Sequence, residues 1–411
     1  MLRNYFKIAI KVLLRRKFFT FISLFAISFT LIVLMVAASA LDYVFAPMPP
    51  ETKQDRTLTI QRAKMSGPEN TQISNPGYKL LDTYMRTLPD VERTSIFSEQ
   101  EAVSSYKDGY NLKPWLKRTD GEYWKILEFT FLEGGPITEE DDKNANFVAV
   151  INQATKEKMF GNEPAIGKTI QADRQSFRVI GVVANVPIYR EIPFSDIWVP
   201  ISTLADPEYK QEILGGFFGM ILARDAADFP RIKEEFESRV KKVEYPSTDY
   251  NTFECEPGTQ FDATAREMLG NTGGHEREEL IGVLLLAAFL FMLLPTVNLV
   301  NINVSRIIER ASEIGVRKSF GASSATLVGQ FLVENILLTL IGGVIGFLLS
   351  MVVLQLLTGS GQIQYAEFHL NIRIFFYAFA SILFFGILSG VYPAWKMAKM
   401  HPVNALKGVV R

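Results

Sequence analysis

Four long apolar stretches constrain this chain more than any other feature. A helix needs about 20 apolar residues to cross a hydrocarbon layer of about 30 Å. Residues 18–41, 280–305, 323–357 and 374–395 all pass that test. Three of them carry no charge, and the third in order carries the single acid Glu334. Helices are the only open segments that satisfy their backbone groups in lipid, so four transmembrane helices are expected. Between the first and the second lies a long water-facing segment, ample for a folded domain with its own core. Mean hydropathy just above zero fits this mixture: too high for an ordinary soluble enzyme, too low for a chain wholly in lipid.

A basic stretch precedes the first span, as in a signal sequence, and Ala38-Ser39-Ala40 resembles a cleavage site. The apolar core is roughly twice the usual 7–15 residues, so a retained anchor is expected. Orientation follows from the flanking Lys and Arg residues. Arg3, Lys7, Lys11, Arg15, Arg16 and Lys17 precede the first span, and Lys396, Lys399, Lys407 and Arg411 follow the fourth, whereas residues 358–371 hold no Lys or Arg. Both termini and residues 306–322 are therefore expected in the cytoplasm, with 43–279 and 358–373 outside. Arg3, Lys7, Lys11 and Arg15 recur every four residues opposite Leu2, Phe6, Ile10 and Leu13, which predicts a basic amphipathic helix over 1–17 at the inner headgroup layer.

The full division runs as a cytoplasmic helix at 1–17, spans at 18–42, 280–305, 323–357 and 374–395, an extracytoplasmic domain at 43–279, a cytoplasmic loop at 306–322, an outer loop at 358–373 and a tail at 396–411. Within the outer domain, strand-like, helix-like and strand-like patterns at 58–61, 78–87 and 91–97 return in the same order at 217–223, 228–241 and 252–255. Pro230 suits the second helix because it falls in the first turn, where its missing N–H costs nothing. Two β-α-β units around an insertion suggest a split, ferredoxin-like α+β layer. Short strands at 147–151, 177–183 and 197–199 predict an inserted, mainly β subdomain over about 110–205. The fold class is thus an α+β membrane protein.

Catalytic and metal templates are missing. The lone Cys255 excludes an intramolecular disulfide, a Cys-rich zinc site and an iron–sulfur cluster. His275, His369 and His401 are scattered, and no H-E-x-x-H or G-x-S-x-G pattern occurs. The segment from Gly161 to Thr169 imitates a phosphate-binding loop but has five residues between its glycines instead of four, and Pro164 removes an amide donor. It reads as a turn between a helix and a β-hairpin. With a formal net charge of −1, nothing drives the chain toward nucleic acid. No catalytic residue, cofactor site or metal site is assigned, and the chain is read as a non-enzyme.

The most informative stretch begins inside the second span, where Asn298 and Asn301 share one helical face. Amides at that depth usually bond across to another helix. The loop that follows reads Arg306-Ile-Ile-Glu309-Arg310-Ala-Ser-Glu313-Ile314-Gly315-Val-Arg317-Lys318-Ser-Phe-Gly321-Ala322. Glu309 and Glu313, four apart, suit pairing with neighbouring arginines. As a bland reading it is a basic flank that fixes topology; as a functional one it is a short docking helix pushed by a cytoplasmic protein.

The run N-x-x-N, then R-x-x-E-I-G-x-R-K-x-x-G-A, then Phe331 and Glu334, resembles the FtsX/MacB family of ABC transporter permeases. Gly342, Gly343 and Gly346 fit that family's third span, and Gly386, Gly390, Pro393 and Ala394 its fourth, followed by Pro402, Ala405 and Leu406. The outer segment is similar to the MacB-type periplasmic core domain at 131–135, 148–151, 160–168, 179–182 and 198–200, departing at Pro136, where the family often has Arg. The resemblance implies a permease of four spans working as a homodimer, or with a paired related permease, in the cell inner membrane. ATP and Mg would bind a separate cytoplasmic ABC ATPase, since the N-terminal ATPase domain of MacB itself is not seen here. The loop 306–322 would receive the motor's movement, and the spans would carry it to the outer domain without a passage through lipid. A membrane-fusion or other periplasmic protein is a further implied partner, as is membrane lipid. Small residues permit close, sliding helix contacts, and Glu334, costing about 2.5–3.5 kcal/mol if charged at mid-membrane, needs a partner, for which Arg306 or Arg310 is the hypothesis. Export or extraction of a lipid, lipoprotein, peptide or amphipathic drug is the leading expectation. The alternative is a regulatory transducer that activates a periplasmic partner such as a cell-wall hydrolase.

Overall fold

The computed structural model describes residues 2–15, 17–107, 110–243, 249–270, 275–309, 316, 319–321, 323–361, 365, 368 and 371–398. They fall into two compact units, one formed by Met1–Tyr43, Glu278–Gln362 and Glu367–Arg411, the other by Val44–Arg277 and Ile363–Ala366.

The first unit is helical. Its helices are Leu2–Arg15, Lys17–Phe45, Glu276–Glu309 (whose first two residues belong to the second unit), Ser324–Gly359 and Ile372–Ala398. Lys17–Phe45 and the stretch Val328–Gly359 are long and apolar enough to cross a membrane, and Ile372–Leu388 is a shorter apolar run. Ser323 caps the fourth helix, its hydroxyl accepting from the Thr326 N–H at 3.2 Å, a satisfied terminus where the preceding chain must change direction. Ile27, Leu31 and Met35 of the second helix pack with Ile382 of the last. On the N-terminal helix, Ala9 and Leu13 are buried with Leu24, Leu337 and Leu338, while Phe6, Ile10 and Leu14 are exposed. Of the apolar stripe read from sequence, Leu13 is thus packed on protein while Phe6 and Ile10 are exposed.

The second unit is built on a ten-stranded sheet. Its path runs Thr57–Ile60, Phe217–Ala223, Val91–Ser98, Trp115–Thr119, Ile197–Pro200, Val148–Asn152, Gln175–Val183 and Thr169–Ala172, with Glu101–Ala102 and Phe131–Gly134 paired off the path. The strands expected near 58–61, 91–97, 147–151, 177–183, 197–199 and 217–223 are all present. Those between 110 and 205 continue the same sheet through the pair Phe97↔Thr119, so the inserted segment and its host share one layer. Thr252–Cys255 does not rejoin that layer. It pairs with Ala63–Ser66 in a separate four-stranded sheet that also contains Thr71–Pro76 and Leu214–Gly215. Only Cys255 of that strand is fully buried, which suits an edge position and not a central one.

Local chemistry explains the details. Phe229–Val240 buries Ile232, Phe236 and Val240 at four-residue spacing and carries its Pro in the first turn. The helix expected at 78–87 is a short turn, Tyr78–Leu80, that widens into a π-type turn at Leu81–Met85. Gly134 has φ +66°, and a Cβ there would sit 2.0 Å from the Ile180 carbonyl oxygen, so the edge strand pairs closely only because that residue is Gly. The nucleotide-loop imitation joins Gln153–Phe160 to the hairpin of Thr169–Ala172 and Gln175–Val183.

Candidate functional site

In the helical unit several polar and small residues of the middle of Ser324–Gly359 are turned inward. A Cβ on Gly342 would lie 2.7 Å from Ile27 Cγ2, and one on Gly346 would lie 2.9 Å from Leu31 Cδ2 and 3.2 Å from Ser28 Cα. The Ser28 hydroxyl donates across the seam to the Gly342 carbonyl at 3.0 Å. Gly343 faces the last helix, where an added Cβ would lie 2.2 Å from Phe379 Cε2, and Gly386 meets Thr339, with 2.7 Å to its Oγ1. Glycines at these positions bring three helices together at backbone distance.

Glu334 is 2% exposed, and Gln330 Nε2 donates to its Oε1 at 3.1 Å. Asn335 and Thr339 continue this buried polar line, the Thr339 hydroxyl donating to the Asn335 carbonyl at 3.0 Å. Gln330, one turn before Glu334, was visible in the sequence at i−4 and was missed there because it is uncharged. Asn301 is exposed on its helix, so the cross-helix bond expected for it is not made within the described residues. Gly390 and Pro393 lie in the last helix. Arg306 and Glu309 lie in the helix Glu276–Glu309, as does Asn298. Gly321 is a turn residue with φ +90°. Arg310, Glu313, Ile314, Gly315, Arg317, Lys318 and Ala322 lie outside the described residues, as does any Glu334–Arg310 pairing.

At the other end of these helices, Asn371 Nδ2 donates to Asp42 at 2.9 Å while its Oδ1 accepts from the Arg373 N–H at 3.0 Å. The Tyr43 and Phe368 rings sit 5.0 Å apart. The loop before the last helix is thus fastened to the end of the first long helix.

In the sheet unit, the segment just after that helix is held by a buried ion pair. Arg190 Nη1 bonds Glu51 Oε2 at 2.9 Å, and Nη2 donates to the Ala46 carbonyl at 2.8 Å. Both side chains are nearly inaccessible, and burial raises the Glu51 carboxyl above the usual range against the pull of Arg190. A second fastening gathers the chain's entry and exit. The Phe45 and Phe261 rings lie 5.2 Å apart, the Arg277 guanidinium stands 5.8 Å over Phe261, and Arg277 pairs with Asp262 at 3.0 Å. Asp262 also accepts the Thr259 N–H at 2.8 Å; against the effect of burial, these bonds and Lys233 hold its carboxyl below the usual range. Sequence reading assigned none of these charged residues, because the pairs lie far apart in the chain.

Lys117 is the most unusual buried group. It is 0% exposed, and its ammonium donates to the carbonyls of Glu191 at 2.5 Å and Ile192 at 2.6 Å. Burial lowers it to about 7, opposed by Glu191, Glu51 and Glu99. Among the described residues no group of His, Cys, Asp and Glu is arranged to hold a metal ion.

Comparison with known proteins places this geometry in context. The MacB-like periplasmic core domain matches residues 20–239, and the FtsX-like permease C-terminal domain matches residues 285–402. The Macrolide export ATP-binding/permease protein MacB of Bdellovibrio bacteriovorus is 27% identical, over 72% of this chain and 45% of its own length. The Pyoverdine export ATP-binding/permease protein PvdT of Pseudomonas aeruginosa is 26% identical, over 78% of this chain and 46% of its own. The chain therefore spans about half the length of the curated relatives it matches. Among solved structures, the periplasmic region of MacB from Actinobacillus actinomycetemcomitans aligns with 53% of this chain and 94% of its own, at 18% identity and a TM-score of 0.38.

Proposed function

This chain belongs to the family that joins a MacB-like periplasmic core domain to an FtsX-like permease domain, and on that premise we propose that it is the permease subunit of an ABC exporter driven by a separate cytoplasmic ATPase. The observation that carries the reading is the order of the two matched domains: the core domain first and the permease domain after it, aligned with relatives named as export permeases. The proposal includes four spans in the inner membrane, both termini inside, and a working pair of permeases. Motor closure on ATP and Mg would press on 306–322, with Glu313 and Gly315 at its centre, and the spans would relay the shift to the outer domain. Glycine seams at Gly342, Gly343 and Gly346 support this, because helices in contact at backbone distance slide with little side-chain rearrangement. Fastenings at Asp42–Asn371 and at Arg190–Glu51 support it too, since each ties the end of a helix or its continuation to a neighbouring segment. The cargo would be a lipid, lipoprotein, peptide or amphipathic drug, handed onward to a periplasmic partner.

The test is purification of the tagged full chain in detergent, with identification of co-eluting proteins and assay of their ATPase activity. An ABC ATPase that co-elutes and is stimulated by the chain is expected. Absence of any such ATPase, or labelling that places cysteines introduced at 142 and 313 on the same side of the membrane, defeats the proposal.

A further inference from the structure

The sheet unit contains an open cleft of about 340 Å³ between the strand Thr71–Pro76, the large sheet and the helix Gln260–Leu269. That volume is in the range of small-molecule sites. Its lining is divided in character. Phe218 gives an apolar floor that is almost fully covered, and Ile73, half exposed, and Ala263 add apolar walls. Around them stand four glutamates, Glu99, Glu191, Glu256 and Glu267, and two arginines, Arg62 and Arg266.

The charges are not equally free. Glu256 and Arg266 pair with each other at 3.0 Å, and Glu99 accepts from Asn75 Nδ2 at 2.8 Å. The carboxylates of Glu191 and Glu267 make no hydrogen bond or salt bridge among the described residues. Glu191 is only partly exposed, and its carboxyl is held above the usual range by burial, with Glu267 and Glu99 adding to the rise and Lys117 opposing it. Lys117 acts on Glu191 only through its field and makes no ion pair with it, because its ammonium donates to the main-chain carbonyls of Glu191 and Ile192. A half-buried carboxylate such as Glu191, with no ion-pair partner among the described residues, is costly for the empty protein, and a cation seated between it and the exposed Glu267 relieves that cost.

We propose that this cleft is a binding site for an organic cation with an apolar body, its ammonium between Glu191 and Glu267 and its hydrocarbon or aromatic part against Phe218 and Ile73. The inference deepens the export reading by naming the class of cargo, and it rests on that reading only for the word cargo: the binding itself is independent of any motor. Arg62, which makes no hydrogen bond or salt bridge among the described residues, acts against a cation in the same cleft and so sets the sign of a control.

The experiment uses the full chain in lipid nanodiscs, with benzyltrimethylammonium as the cationic probe and benzyl alcohol as the neutral one, followed by saturation-transfer NMR titration. Saturable binding of the cation is expected, at least tenfold tighter than the neutral probe. The double variant Glu191→Gln/Glu267→Gln should weaken the cation at least tenfold and leave the neutral probe within twofold. Arg62→Gln should tighten the cation several-fold, a gain that a misfolded protein cannot produce. No saturable cation binding by the wild type, or equal affinities in wild type and double variant with an unchanged circular dichroism spectrum, overturns the site. ATPase stimulation by the same preparations reads the permease proposal separately. A chain that binds the cation but stimulates no ATPase loses the export reading and keeps the cleft, and the reverse result loses only the cleft.

Discussion

Replacing Lys117 with Met should change how the sheet unit's stability responds to pH. In the folded chain the ammonium is fully buried and titrates at about 7, against 10.5 for an ordinary lysine. Below pH 7 the folded and unfolded forms both hold the proton, so this group adds no pH dependence there. Between about 7 and 10.5 the unfolded chain binds the proton that the folded chain has released, and stability rises with pH. Integrated from pH 7 to pH 9, that difference is worth about 2 kcal/mol at about 1.4 kcal/mol per unit. Lys117→Met removes it. The variant also takes a donor from the carbonyls of Glu191 and Ile192, but that loss is an offset independent of pH. Urea unfolding of the full chain in micelles, followed by tryptophan fluorescence, is a suitable assay, because Trp115, Trp124 and Trp198 lie in the sheet unit. The wild type should gain about 2 kcal/mol over that range relative to the variant. If the two proteins show the same slope, the buried lysine does not titrate as argued.

Arg190→Met should cost about 3–5 kcal/mol in the same urea assay, because it strands the Glu51 carboxylate in a buried site. Arg190→Met/Glu51→Leu should recover most of that loss, and a double variant as weak as the single one would refute the pairing. Gly343→Ala should cost about 1–3 kcal/mol by overpacking against Phe379, read as a lowered melting temperature in micelles. Gly359→Ala, with open space around its Cβ, should leave that temperature unchanged. Glu313→Lys or Gly315→Pro should abolish stimulation of a co-purified ATPase while leaving assembly intact; normal stimulation would remove 306–322 from the mechanism.

The elements that sequence made legible are those with a strong local signal. Phe217–Ala223 is a continuous apolar run, and Phe229–Val240 repeats its buried residues every four positions with Pro in the first turn; both appear where expected. Partnership between strands was not legible. Thr252–Cys255 has the composition of a strand, but nothing local tells it to pair with Ala63–Ser66 instead of joining the large sheet. The glycines at 342, 343 and 346 stood out as small residues that fit the family's third span, while their opposite faces, Ile27, Leu31 and Phe379, are ordinary apolar residues that only the folded chain singles out. Buried charge was the least legible feature. Lys117 and Arg118 sit in a strand whose residues 116–119 are all buried, so neighbours of opposite side-chain direction both lose water, and sequence alternation gave no warning. The cleft escaped for the same reason, since its glutamates come from positions 99, 191, 256 and 267.

Phe45 and Arg277 stand at the two ends of the long segment of the sheet unit, yet Phe45 packs on Phe261 and Arg277 on Phe261 and Asp262 of one ten-residue helix. Both ends therefore share a single handle. A displacement at either of these two positions is therefore met by the same small rod.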